Sequence, residues 1–471
     1  MKKHLLPLMM LIMVCVIAVA EKKDSYKFYQ FTDVHVMHPD LMVNRGSAFI
    51  KDCGYNMTMH EASLDIFKMC IDSIKQNKPD FVLLSGDIAK DGEKIGHKLV
   101  ADMLKDVQDN YGVKIYVIPG NHDCDNPFGR VYDGDNATYA ETTHRSEFGD
   151  IYKEFGLNQA VAKDDANGML SYMVYPYDDL AILCLDANDF SISKYNPTGK
   201  PDNYKDTLSC RGFMSTKSVE WAEKVTKDAV ASGRHVIAQV HYPLFAHDDG
   251  DKKMDTDGFL NGCVPETAKD SLTNKQVCER LAKAGVEVMF DGHKHMGDIN
   301  YLTFKNDKQE DIKIWDVNTN STVQWKPAYR MCDLTPSTKT MNVKTNLFDN
   351  ATYGGKTLQQ YAMDYSKQEW ILESGTKDTE RYFPMLKSYY SMLSIFASIM
   401  KLPQTGAEFV TLMDTTNVYR DIVNIFSLRA VGNENLYDYS GVMADTQADA
   451  KKLFMALCNN TAYIYMMVLM S

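Results

Sequence analysis

The sequence predicts an α/β sandwich, and two observations carry that expectation. Five runs of apolar, β-branched and aromatic residues, at 26–32, 81–85, 113–118, 234–240 and 286–290, each close on Asp, Gly, Pro or His and read as strands. Between them lie stretches with helical spacing: 61–76, with Leu64, Phe67, Met69, Cys70, Ile71 and Ile74 on one stripe, then 98–107 and 219–231. A repeated strand, helix, strand order builds sheets covered by helices, and ligands collect beyond the carboxyl ends of the strands.

Taken in chain order, the first element is an export signal. Met1-Lys2-Lys3-His4 is followed by an apolar run from Leu5 to Ala20 and then Glu21-Lys22-Lys23. A basic start, an apolar middle and Ala18-Val19-Ala20 before a polar segment predict a signal peptide over 1–20, cleaved after Ala20. The run contains Pro7 and falls short of the roughly 20 residues that a spanning helix needs. The mature chain is therefore expected to be secreted or periplasmic, with no integral membrane span.

The strands at 26–32, 81–85 and 113–118 come next, with helices at 61–76 and 98–107. A hairpin pairs 170–175 with 180–185 through Asp178-Asp179, and the strands at 234–240 and 286–290 follow the helix at 219–231. Three of five polar segments directly follow one of the five strands, and the other two follow after a single residue, Pro119 or Asp291. They are Asp33-Val34-His35, Gly86-Asp87, Gly120-Asn121-His122-Asp123, His241 and Gly292-His293-Lys294-His295. A lone Asp-x-His or His-x-His says little, because unrelated loops contain them. Together, in order and at strand ends, these segments hold the oxygen and imidazole donors that two adjacent divalent metal ions need, with one histidine left over.

The formal net charge is −12, and cleavage would remove Lys2 and Lys3, making the mature chain more acidic still. Such a surface repels phosphate backbones and argues against long nucleic acid as a partner; a small phosphoester remains compatible, because two metal ions would reverse the local field. Nine of the ten cysteines stay in the mature chain, none in a Cys-x-x-Cys pair, so at least one is a free thiol or pairs with another chain. Cys124, close to His122, reads as buried or disulfide-bonded rather than nucleophilic.

The five segments resemble the signature of the calcineurin-like metallophosphoesterase superfamily, over about residues 26–334. The resemblance implies a four-layered α/β-β-α sandwich with a dinuclear centre. Asp33, His35 and His295 would hold the first metal, Asp87 would bridge, and Asn121, His241 and His293 would hold the second; the metals would be zinc, manganese or iron. His122 would act as the acid. The chemistry agrees: two cations about 3.5–4 Å apart need a shared anion, and a carboxylate offers two oxygens. Hydroxide shared by the metals would attack phosphorus in line, and His122 would protonate the departing alkoxide. Asp123 is expected to orient the imidazole from behind or, alternatively, to be a polar turn residue.

Subfamily features narrow the expectation. Lys90 stands where purple acid phosphatases carry tyrosine, and Phe31-Thr32-Asp33-Val34-His35 replaces the opening of secreted nucleotidases. The stretches from Leu84 to Glu93 and from Ile118 to Asp123 resemble cyclic-nucleotide and glycerophosphodiester phosphodiesterases. Acid sphingomyelinase-like enzymes carry a second catalytic histidine where this chain has Asp91. The expected function is a secreted phosphodiesterase, possible also on monoesters. The alternatives are a nuclease, nucleotidase or phosphomonoesterase on the same metal core, or a binding protein that keeps the fold without catalysis. His38, His60 and His247 could reach a substrate, although surface or core-edge positions are commoner for lone histidines. The long segments 37–60, 124–147, 190–212 and 244–273 are expected to wall the site.

Beyond the catalytic unit, 21–335, the composition changes. Residues 336–346 read as a polar, threonine-rich connection, and 336–471 as an α-helical carboxyl-terminal domain that packs on the sandwich or mediates oligomerisation. Its clearest stripe is Leu386, Tyr389, Tyr390, Leu393, Phe396, Ala397 and Met400. Asn56, Asn136, Asn320, Asn350 and Asn459 would be glycan acceptors in a eukaryotic secretory pathway.

Overall fold

The computed structural model describes residues 22–53, 58–164, 169–190, 210–244, 247, 272–366 and 368. In chain order the main elements are β1 (Tyr26–Phe31), α1 (Ser63–Asn77), β2 (Phe81–Ser85), α2 (Lys94–Tyr111), β3 (Lys114–Ile118), β4 (Ala162–Lys163), β5 (Tyr172–Tyr177) and β6 (Leu180–Leu185). Then come α3 (Thr216–Ala231), β7 (His235–Val240), α4 (Asn274–Ala284), β8 (Val286–Asp291), β9 (Asp298–Lys305), β10 (Asp311–Asn318), β11 (Tyr329–Thr335), β12 (Thr340–Asn346) and α5 (Leu358–Tyr365).

Two sheets form the middle of the molecule. The first has the order β12-β11-β1-β2-β3, and the second β9-β10-β8-β7-β6-β5-β4. Side chains alternate across each strand, so every central strand feeds two cores. Phe28, Phe81, Leu83, Tyr116 and Ile118 point between the sheets to meet Leu180, Ile182, Cys184, Ile237 and Phe290. Their chain neighbours Tyr29, Phe31, Val82, Leu84, Ile115 and Val117 point outward and pack under Ile66, Phe67, Cys70 and Ile74 of α1 and Val100, Leu104 and Val107 of α2. On the far side Ala181, Leu183, Leu185, Val236 and Ala238 pack under Val219 and Ala222 of α3 and Val277 and Leu281 of α4. Helix, sheet, sheet, helix is the four-layered sandwich that the family resemblance implies. Helix α2 begins four residues before the expected 98, because its first turn is too polar to show a stripe.

The expected boundary at 335/336 is corrected by the structure. Strand β12 lies in the stretch read as a connection, and it pairs antiparallel with β11 from Tyr329↔Asn346 to Thr335↔Thr340. An edge strand with one wet face carries threonine and lysine among its apolar residues, which makes it look like linker. Helix α5 then seats Leu358 and Ala362 in the same core as α1, so the sandwich runs through the described part of the supposed carboxyl-terminal domain. The stripe at Leu386–Met400 and the peptide at 1–20 lie outside the described residues. Among the glycan acceptors, Asn136 and Asn350 are exposed. Asn320 is buried and cannot carry a glycan in the folded chain.

Candidate metal centre

Strands β1, β2 and β3 run parallel, as do β7 and β8, so each group presents its carboxyl ends together. The first sheet delivers Asp33, His35, Asp87, Asn121 and His122; the second delivers His241, His293 and His295. The two sets meet across the sandwich. The His293 amide donates to Asp33 Oδ2 at 2.9 Å, and His241 Nδ1 donates to the Ser85 carbonyl at 2.9 Å.

The backbone is bent to achieve this. Asp33, His35, Asp87, His293 and His295 have φ values of 51°, 40°, 51°, 64° and 55°, in the left-handed region that costs such residues of order 1–3 kcal/mol each. Cross-loop bonds hold them there: Asp33 N to Gly86 O at 3.0 Å and His35 N to Asp87 O at 2.9 Å. The turns also demand glycine. A Cβ on Gly86, at φ 91°, would stand 2.7 Å from His241 Nδ1, and one on Gly292 would stand 2.0 Å from Thr32 Oγ1.

The donor atoms form two groups sharing one residue. Asp33, His35, Asp87 and His295 bring ligand atoms within 4.8 Å of one another, and so do Asp87, His241 and His293. In the first group His295 Nε2 lies 3.1 Å from Asp33 Oδ1 and 3.3 Å from His35 Nε2, and His35 Nε2 lies 3.7 Å from Asp87 Oδ2. In the second, Asp87 Oδ2 is 3.3 Å from His241 Nε2, while Asn121 Oδ1 is 2.9 Å from His241 Nε2 and 2.8 Å from His293 Nδ1. Such spacings resemble the edges of coordination polyhedra with bonds of about 2.0–2.2 Å.

The hydrogen bonds around these donors agree. Asp33 Oδ2 accepts from Thr32 Oγ1 at 2.6 Å and from the His293 amide, yet Asp33 Oδ1, fully buried, has no hydrogen-bond partner among the described residues. An acceptor left bare among imidazoles is what a cation would satisfy. Asp87 Oδ1 accepts the His122 amide at 2.8 Å, freeing Oδ2 to face both groups. His241 Nδ1–H is spent on Ser85 O, and His295 Nδ1 donates to Gln324 Oε1, so both rings present Nε2 to the centre. All seven expected ligands thus converge, and their donor set fits two divalent cations. Burial favours a neutral ring for His35 and His293 and pushes both pKa values down, which suits ligands.

His122 stands beside the centre, its ring 4.9 Å from that of His35 and nearly perpendicular to it. Its Nδ1 donates to Asp91 Oδ1 and Lys90 O, both at 2.9 Å. Burial would lower its pKa, but the Asp87 and Asp91 carboxylates prevail and carry it up to about 10.

Asp123 does not orient that ring. Its Oδ1 accepts the amides of Ile88 and Ala89 at 2.7 and 3.1 Å, and its Oδ2 accepts the Gly120 amide at 2.7 Å. Buried beneath the loops, it ties the Asp87 turn to the Asn121 turn; burial, then Asp87, pushes its pKa to about 7 against those amides. The residue behind His122 is Asp91, which the sequence marked only as a subfamily difference. Gln324, beside His295, had no sequence signal at all.

Among the weaker candidates, His60 is buried with its ring 6.1 Å from that of His35, and burial pushes its pKa to about 3. His38 caps a short turn by accepting from the Asp40 amide. His247 lies in a separate buried cluster. Cys124 is a buried thiol with no disulfide.

The model of the calcineurin-like phosphoesterase family matches residues 26–297. Among solved structures, a dimetal phosphatase from Danio rerio is similar, with 14% identity and a TM-score of 0.43, covering 68% of this chain and 95% of that one. No curated protein matches the sequence. The family match takes in every loop that carries one of the seven converging donors, and it spans more than half the chain, so the chain belongs to the calcineurin-like phosphoesterases, metal-dependent hydrolases of phosphoric esters.

Proposed function

We propose that this chain is an exported phosphodiesterase acting on small phosphodiesters. The carrying observation is the pair of donor groups sharing Asp87, with the His122–Asp91 pair beside them. Asp33, His35, Asp87 and His295 would hold one divalent cation, and Asp87, Asn121, His241 and His293 the other. When bound, the two cations supply charge for the phosphoryl oxygens and activate water.

The side chains do the rest. With Nδ1–H engaged by Asp91 and the Lys90 carbonyl, His122 turns Nε2 toward substrate and can carry a proton there. That proton passes to the leaving oxygen as its bond to phosphorus breaks, sparing the reaction an alkoxide. Asp91 fixes the ring and compensates its positive charge, while Asp123 holds the two ligand-bearing turns in register. Preference for a diester follows from the resemblance of the segments from Leu84 to Glu93 and from Ile118 to Asp123, and export from the residues up to Ala20.

The test is to strip the protein with a chelator, restore Mn²⁺, Zn²⁺, Fe²⁺ or Co²⁺ singly, and compare an aryl phosphodiester with the matching monoester. Metal-dependent turnover with the diester preferred is expected. No turnover with any metal would sink the enzyme reading, and a strong monoester preference would sink the diesterase reading.

A further inference from the structure

A third group of donors lies apart from the two that share Asp87. It comprises His247, Asp291 at the end of β8 and Asp316 in β10, with Asp298 at the start of β9 alongside, all buried. His247 Nδ1 meets Asp298 Oδ2 at 2.9 Å. A proton on Nδ1, given to that carboxylate, leaves Nε2 with its lone pair, as in carboxylate–histidine–metal arrangements.

That lone pair faces Asp316 Oδ2 at 3.0 Å and Asp291 Oδ2 at 3.9 Å. Two lone pairs so close repel unless a positive centre lies between them. Protonating Nε2 as well would satisfy Asp316 Oδ2 alone. Asp291 Oδ2, Asp316 Oδ1 and the Oδ1 of neighbouring Asn318 are all buried with no hydrogen-bond partner among the described residues. Asn318 has already given its Nδ2 to Asp291 Oδ1, at 2.6 Å. Apart from His247, no basic side chain among the described residues pairs with Asp291 or Asp316. Bare acceptors buried against two carboxylates are costly, and a cation relieves them all at once.

We infer a third metal site, in which a divalent cation of the zinc or manganese class is held by His247 Nε2, Asp291 and Asp316. Its donor atoms lie within 4.8 Å of one another, and the 3.0 and 3.9 Å spacings bracket the ~3.4 Å edge of a tetrahedron with bonds of about 2.0–2.1 Å. One imidazole among carboxylates favours zinc or manganese over the all-oxygen coordination of calcium. The cation ties residue 247 to β8 and β10. It thereby braces the end of β8, from which the loop bearing His293 departs, and its role is structural. The inference is independent of the substrate class.

The test is metal content. Untagged full-length protein is saturated with Zn²⁺, desalted and measured by plasma mass spectrometry, with folding checked by circular dichroism. Three zinc ions per chain are expected, and two in His247→Gln. A count below three in the unaltered protein, or equal counts in the two proteins, would overturn the site. If His247→Gln fails to fold, Asp316→Asn, which keeps the side-chain volume, is read in the same way.

Discussion

Replacing Asp91 by Asn tests the acid pair most directly. The amide keeps the volume and can still accept from His122 Nδ1, but it removes the negative charge that now sits 2.9 Å from that nitrogen. Hydrogen bonds to a charged group contribute about 1.5–3 kcal/mol and neutral ones about 0.5–1.5, so losing the charged part, about 1–1.5 kcal/mol, should slow productive proton donation by roughly 5–12-fold. A merely structural role predicts something else. Asp91 also pairs with the buried Lys90, and stranding that ammonium should cost about 3–5 kcal/mol of stability. The two effects separate by leaving group. An alkyl phosphodiester needs a proton on its departing oxygen, whereas a nitrophenyl diester barely does, so kcat should fall roughly 5–12-fold for the first and less than about twofold for the second. The measurement is kcat for both substrates, below the lowered melting temperature and with metal content verified. Equal losses on both substrates would refute the positioning role, and so would an unchanged kcat on the alkyl diester.

Three further outcomes follow from the same geometry. Asp87→Ala should lose activity together with metals of both groups, whereas His122→Ala should keep them and lose roughly 10²–10⁴-fold on the alkyl diester; plasma mass spectrometry and steady-state kinetics decide between these. A chain ended after Thr335 lacks β12 and α5, exposing the β11 edge and the core under Leu358 and Ala362, and should be recovered insoluble, while one ended after Ser366 should stay soluble. His97 is buried between Asp123 O and the Tyr152 hydroxyl, and burial lowers its pKa from 6.5 to about 4. The unfolded chain therefore binds a proton that the folded one refuses between those values, so stability is full above 6.5 and falls toward pH 4 by about 3 kcal/mol. In His97→Phe that part of the pH dependence of urea unfolding should disappear; an unchanged slope would contradict it.

The candidate metal donors were legible because each sits just past an apolar strand, and that pattern is local. Asp33, Asp87, Asn121, His241 and His293 needed only the strand before them to be placed at a carboxyl end. Asp123 shows the limit of adjacency. It follows His122 in the chain, but the left-handed turns around Asp87 point amides at it, and those amides take both its oxygens. Asp91 reaches His122 across 31 positions and Gln324 reaches His295 across 29, through loops whose paths no periodicity encodes. The polar stretch at 340–346 looked like linker because an edge strand needs to bury only one face.

By itself, then, the sequence determined the fold class, the order of the strands along the chain and the set of residues able to hold metal, since these follow from short-range patterns of apolar and polar side chains. Only the tertiary structure decided how closely the donor atoms approach one another, which carboxylate accepts from His122, and that His247 joins Asp291 and Asp316. Those pairings depend on two sheets closing on each other and on contacts such as His293 to Asp33, 260 positions apart, where the geometry is set by packing rather than by spacing.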